Sequence, residues 1–86
     1  LETLSRVLND PKDLCRASAA RGLGRLGGST AMTTLAAALA SADDDLKVDI
    51  AEGLLLIATP EATEIARQIQ VSAPEAQADL SAVLAN

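Results

Sequence analysis

The side chains able to act on another molecule are few and unevenly placed. Three carboxylates stand together at Asp43, Asp44 and Asp45, one thiol at Cys15, and three guanidinium groups at Arg16, Arg21 and Arg25, with Arg6 and Lys12 nearby. Adjacent carboxylates attract divalent cations, but a calcium loop needs ligands at alternate positions, a turn glycine and a distal glutamate, and none follows Asp45 at that spacing. The run falls where a helix should begin, so its expected work is to satisfy that helix's positive end. A nucleophilic Cys15 would need a neighbouring base, and the chain contains no histidine. No Ser/His/Asp set and no zinc-ligand cluster occurs. Gly22, Gly24, Gly27 and Gly28 neither follow a strand nor open a helix, as a phosphate-cradling loop requires. These residues predict a protein that is not an enzyme and that holds no cofactor or metal.

The composition narrows the partners. The 86 residues carry a net charge of −5, divided between a basic stretch 1–31 with five basic and three acidic side chains and an acidic stretch 32–86 with two and nine. An acidic chain with no aromatic residue for base stacking is a poor ligand for nucleic acid, whose phosphates demand a continuous basic surface. Apolar runs such as Leu54 to Ala58 fall far short of the roughly 20 residues that cross a bilayer, and no basic start followed by an apolar block marks a signal peptide. No membrane partner is expected. A single cysteine asks for no oxidising compartment, which points to the cytoplasm. Hydrophobic residues make up 49% of the chain and charged ones 22%, enough apolar content for a folded domain. Without Trp, Tyr or Phe the core must be built of Leu, Ile, Val and Ala, and a wide globular core is not expected.

An internal repeat supplies the positioning elements. Sliding the chain on itself by 31 residues places Leu4 on Leu35, Leu8 on Leu39, Cys15 on Leu46, Arg16 on Lys47, Ala20 on Ala51, Gly22 on Gly53, Leu23 on Leu54 and Leu26 on Ile57 without a gap. A third copy follows with a one-residue deletion that puts Ile50 on Leu80 and Leu54 on Leu84. The chain reads as a single domain, 1–86, with repeats at about 1–28, 29–59 and 60–86. It starts at Leu1 with its first apolar positions already in helical phase, which suggests a segment of a longer protein. Cys15, on the position of Leu46, is expected to be a small buried core residue.

Each copy splits into two amphipathic stretches. Met32, Leu35 and Leu39 share one face, and Leu46, Ile50, Leu54 and Ile57 recur at steps of four, four and three. Asp10 before Pro11, Thr59 before Pro60 and Ser72 before Ala73 and Pro74 have the form of helix N-caps. Ser41 with Asp44, and Ser72 with Glu75, approximate the reciprocal cap. Gly27 and Gly28 supply a left-handed stop. The pattern predicts six helices, near 1–9, 13–26, 30–41, 44–57, 61–71 and 74–85, and no strand. Short loops make neighbours antiparallel, and the 18 alanines let helices approach closely.

The run from Asp10 through Leu14-Cys15-Arg16-Ala17-Ser18-Ala19-Ala20-Arg21-Gly22-Leu23-Gly24-Arg25-Leu26-Gly27 resembles the second helix of the short HEAT-like repeats named after the phycobilin lyase subunits. That pattern has an apolar residue and Arg, two variable positions, Ala-Ala, then Ala-Leu-Gly and Leu-Gly. The second copy, Leu46-Lys47, Ile50-Ala51, Gly53-Leu54 and Ile57-Ala58, is similar but looser, with Lys for Arg and the later glycines lost. The resemblance covers about 62 of the 86 residues. It implies an all-α fold, a right-handed α-solenoid of about three antiparallel helical hairpins whose second helices line a concave face. It implies a scaffold or adaptor that binds a protein there. It does not imply lyase activity, because fold alone is not function. The alternative, a fragment of a phycobilin lyase-type or other enzyme-associated HEAT-like subunit, lacks the aromatics and histidines that would grip a tetrapyrrole.

Arg16, on the position of the recurrent repeat arginine, is expected to serve ion pairs or helix caps between repeats. Ser18, Arg21 and Arg25 occupy variable positions of the second helix, and their counterparts one repeat later are Asp49, Glu52 and Leu56. These six are the candidate partner-binding residues. The bland account is that Arg21 pairs with Glu52 and the strip neutralises itself. Under the functional account the strip recognises a partner of mixed charge, with Leu56 as its apolar point. Leu1, Leu4 and Leu8 offer no clearly polar outer face, so edge-to-edge self-association is a further expectation.

Overall fold

A computed structural model of the chain describes residues 2–10 and 15–85. Among them the chain forms six α-helices: α1 Glu2–Asn9, α2 Arg16–Leu26, α3 Gly28–Ala38, α4 Asp44–Ile57, α5 Pro60–Arg67 and α6 Pro74–Ala85. A 3₁₀ turn, Leu39–Ser41, extends α3, and no strand occurs among the described residues. The all-α expectation is met. α4 is the hub and packs against α2, α3, α5 and α6, with its largest contact to α2; α1 rests on α2 and α3. The assembly measures 32 × 30 × 18 Å, and the short dimension is the depth of two helices of about 10 Å each.

Leu8, Leu23, Leu35, Ile50 and Leu54 are fully buried, and alanines at 19, 20, 31, 51, 62 and 66 fill the spaces between them. Each of those large side chains contributes about 2 kcal/mol by leaving water. No polar or charged residue is buried among the described ones, so the polar groups available for recognition all lie at the surface.

Helix ends follow local chemistry, with corrections. Thr59 Oγ1 accepts the Ala62 N–H at 3.2 Å and Pro60 takes the first helical position, as the sequence predicts. For α4 the cap is Asp43, whose carboxylate accepts the Leu46 N–H at 2.8 Å; Ser41 lies in the preceding 3₁₀ turn instead. The Ser72–Glu75 exchange does not form, because the Ser72 N–H is donated to Asp44 of α4. Gly27 (φ 71) ends α2 and donates its N–H to the Leu23 carbonyl at 3.1 Å. α3 then starts at Gly28, two residues early, so a glycine does open a helix, after a helix and not a strand. α5 stops at Arg67, short of the expected 71.

Cys15 corrects another expectation. It is exposed, in the turn before α2, and is not a core residue. Its counterpart Leu46 lies inside the first turn of α4 and is buried; with α2 opening at Arg16, position 15 precedes the apolar face. The expected cap at Pro11, the start of α2 at 13, Lys12 and the Leu1 edge fall outside the described residues.

Candidate functional site

The candidate residues occupy two stripes set by helical spacing. On α2, Ser18 and Arg25 are exposed and Arg21 is half-buried; on α4, Asp49 and Glu52 are half-buried and Leu56 is 46% exposed. Steps of three and four residues keep each triplet on one side of its helix. The structure joins the stripes through Arg21 Nη1 and Asp49 Oδ1, 3.7 Å apart. The partner of Arg21 is therefore Asp49 and not Glu52. Side chains on a helix lean toward its N-terminus, so the long Arg21 reaches one turn back to the counterpart of Ser18. With side-chain exposures of 35% and 26%, this pair is worth about 0.5 kcal/mol.

Burial pushes the Asp49 carboxyl above its ordinary range; Arg21 opposes the shift, while Glu52, Asp45 and Asp43 reinforce it. One guanidinium does not balance the negative charge gathered there. Glu52 and Arg25 form no hydrogen bond or ion pair among the described residues. Self-neutralisation thus applies to Arg21 and Asp49 and leaves Arg25, Glu52 and Leu56 available.

Beside Glu52 and Leu56, α4 and α6 open a groove of about 430 Å³ lined by Glu52, Leu55, Leu56 and Val83. Its origin is legible in the repeat. At the α2–α4 junction the backbones touch: a Cβ on Gly24 would stand 2.5 Å from the Gly53 carbonyl oxygen, and one on Gly53 would stand 2.5 Å from that of Ala20. One repeat later Gly24 becomes Leu55, and under the one-residue deletion Gly53 becomes Val83. Branched side chains replace the two glycines, and the groove appears at that point. Leu55 and Val83 are site residues that carry no polar group to single them out, although the repeat, with its one-residue deletion, pairs each with a glycine.

The other charged residues serve as ties. Arg16 Nε donates to the Leu8 carbonyl at 3.1 Å, closing the C-terminal end of α1, and its counterpart Lys47 donates Nζ to the Gln70 carbonyl at 3.2 Å. Asp44 accepts the Ser72 N–H at 3.2 and 3.1 Å and the Ala73 N–H at 2.9 Å. The Ala73 and Ser72 amides, ahead of a smaller effect of Lys47, hold the Asp44 carboxyl below its ordinary range. The Asp run therefore divides its work: Asp43 caps α4, Asp44 anchors the segment ahead of α6, and Asp45 is exposed.

Among the described residues no three His, Cys, Asp or Glu side chains converge as metal ligands, and no helix is long and apolar enough to cross a membrane. Comparison with known protein families, with characterised proteins and with solved structures returns no match.

Proposed function

We propose that this chain is a protein-interaction scaffold, a segment of an α-solenoid built from HEAT-like hairpins, and that it engages a partner polypeptide on the face formed by α2 and α4. Two observations support the solenoid: α2, α4 and α6 contact one another in sequence order, and the 31-residue repeat puts the same kinds of residue at equivalent helix positions. The observation that carries the binding reading is the pair of stripes, in which Arg25, Glu52 and Leu56 stay accessible and unsatisfied beside the Arg21–Asp49 pair. Accessible charges of both signs together with an exposed leucine give orientation as well as affinity, the combination a protein surface offers to another protein. The acidic balance and the absence of aromatic residues weigh against nucleic acid, and the lone thiol fits a cytoplasmic setting.

The test is affinity capture from an extract of the source cells with three baits of equal helicity by circular dichroism. They are the wild type, the double variant Arg25→Glu/Leu56→Asp, and the control Ala37→Glu on the exposed side of α3. A polypeptide held by the wild type and the control but lost by the double variant is the expected result. Retention of the same set by all three baits refutes the reading.

A further inference from the structure

The groove between α4 and α6 combines two features that the stripes alone do not. Its walls are the apolar groups of Leu55, Leu56 and Val83, and its lip is the carboxylate of Glu52. Among the described residues Leu56 is one of two large hydrophobic residues standing well out in solvent, the other being Leu26. An apolar wall beside water gains from being covered by another apolar group.

The lip has a definite sign. Glu52 forms no ion pair among the described residues, and it and Asp45 both add negative charge around Asp49 on the same helix. Of the cations on α2 and α4, Arg21 lies 3.7 Å from Asp49 and Lys47 donates to the Gln70 carbonyl, and Arg25 of α2 forms no ion pair with Glu52. The chain from 32 onward carries two basic and nine acidic side chains, so the surroundings reinforce the local field. An incoming cation is drawn to this lip and an incoming carboxylate is repelled.

We infer that the groove receives a polypeptide segment with an apolar side chain and, within one helical turn of it, a lysine or arginine. The apolar group sits against Leu55, Leu56 and Val83, and the cation sits on Glu52. This rests on the partner-binding reading above and names the chemistry of the partner. Apolar seating supplies most of the affinity, and the charge selects which segments are admitted.

The experiment is a nuclear magnetic resonance titration of the whole isotope-labelled chain with two synthetic helical peptides on an alanine background. One carries Leu and Lys four residues apart, and the other carries Leu and Glu at the same places. The Leu/Lys peptide should shift the methyl signals of Leu55, Leu56 and Val83 saturably, and the Leu/Glu peptide should not. Glu52→Lys should weaken the first peptide about tenfold and admit the second. Leu56→Asp, at an exposed position, should abolish binding of the Leu/Lys peptide.

Shifts confined to Ser18, Arg21 and Arg25 would overturn the groove while leaving the α2–α4 face as a binding surface. Equal binding of the two peptides, or no saturation by about 1 mM, also overturns the inference. So do groove signals that move with chain concentration alone, which would make a second copy the occupant.

Discussion

α4 makes two junctions along its length, one with α2 and one with α6, and the same repeat builds them differently. Toward α2 the contact is backbone against backbone at Gly24, Gly53 and Ala20, with an ion pair on the rim. Toward α6 the equivalent positions hold Leu55 and Val83, the helices leave a groove, and the polar ties run from Asp44 and Lys47 to the segment 70–73. Two side chains, absent at one junction and present at the other, distinguish the closed junction from the open one. In a core without aromatic residues, where alanine and leucine do the filling, side-chain carbons added at a crossing have no large neighbour to absorb them.

The sharpest check is to put the missing carbon into the closed junction. Gly53→Ala and Gly24→Ala should each cost about 2 to 3 kcal/mol in urea unfolding, although alanine is the better helix former. Gly22→Ala is the contrast, since its new Cβ would meet only Leu4 methyl carbons at 3.4 Å; it should gain about 0.5 kcal/mol. If all three substitutions stabilise the chain, the backbone contact between α2 and α4 is wrong. On the open side Val83→Ala should cost about 1 kcal/mol, because it widens a groove that is already solvated.

A smaller effect is expected at the helix ends. Gly27 closes α2, while its counterpart Ala58 closes α4 in a left-handed conformation (φ 64, ψ 21) that L-residues adopt at a cost. Ala58→Gly should raise the thermal midpoint, with a gain of about 1 kcal/mol. An unchanged or lower midpoint would mean that Ala58 is not held in this conformation.

The smallest effects separate the junctions by pH. Asp44 titrates below its ordinary value of 3.8 when folded, so its tie is fully present above that value and is lost as pH falls through the lower folded value. Asp49 titrates above 3.8 when folded, so it costs stability at neutral pH, and that cost is relieved as pH falls through the raised value. Acidification should first ease the α2–α4 junction and then release the 72–73 amides. Carboxyl carbon shifts of the two aspartates and amide exchange at Ser72 and Ala73 would record that order. The reverse order would contradict the geometry of both.

Much of the helical layout was legible because it is local. α4 runs from Asp44 to Ile57 as its periodicity predicts, and Thr59–Pro60 opens α5 as its cap chemistry predicts. What escaped depends on residues far apart in the chain. α5 ends early where residues 70–73 are bound by Asp44 and Lys47, which lie 23 to 29 positions away. Arg21 pairs with Asp49 because repeat equivalence identifies residues with the same role in their own hairpins, not residues that face each other. Cys15 was misplaced because the repeat carried the helix start of α4 back onto α2, which opens later. Ser18, Arg25 and Leu56 are exposed as their helix positions predict, Arg21, Asp49 and Glu52 are half-buried, and the groove needed the third copy, where the alignment is weakest.

The exposed ties from Asp44 and Lys47 give the two ends of this molecule different mechanical character. Salt screens such contacts, whereas the glycine-to-glycine crossing contains no charge to screen. Rising ionic strength should therefore loosen the segment 70–73 before the α2–α4 crossing, while the buried Leu80 keeps α6 on the core. One end of the chain is thus stiff in any salt, and the other takes part of its stiffness from its surroundings.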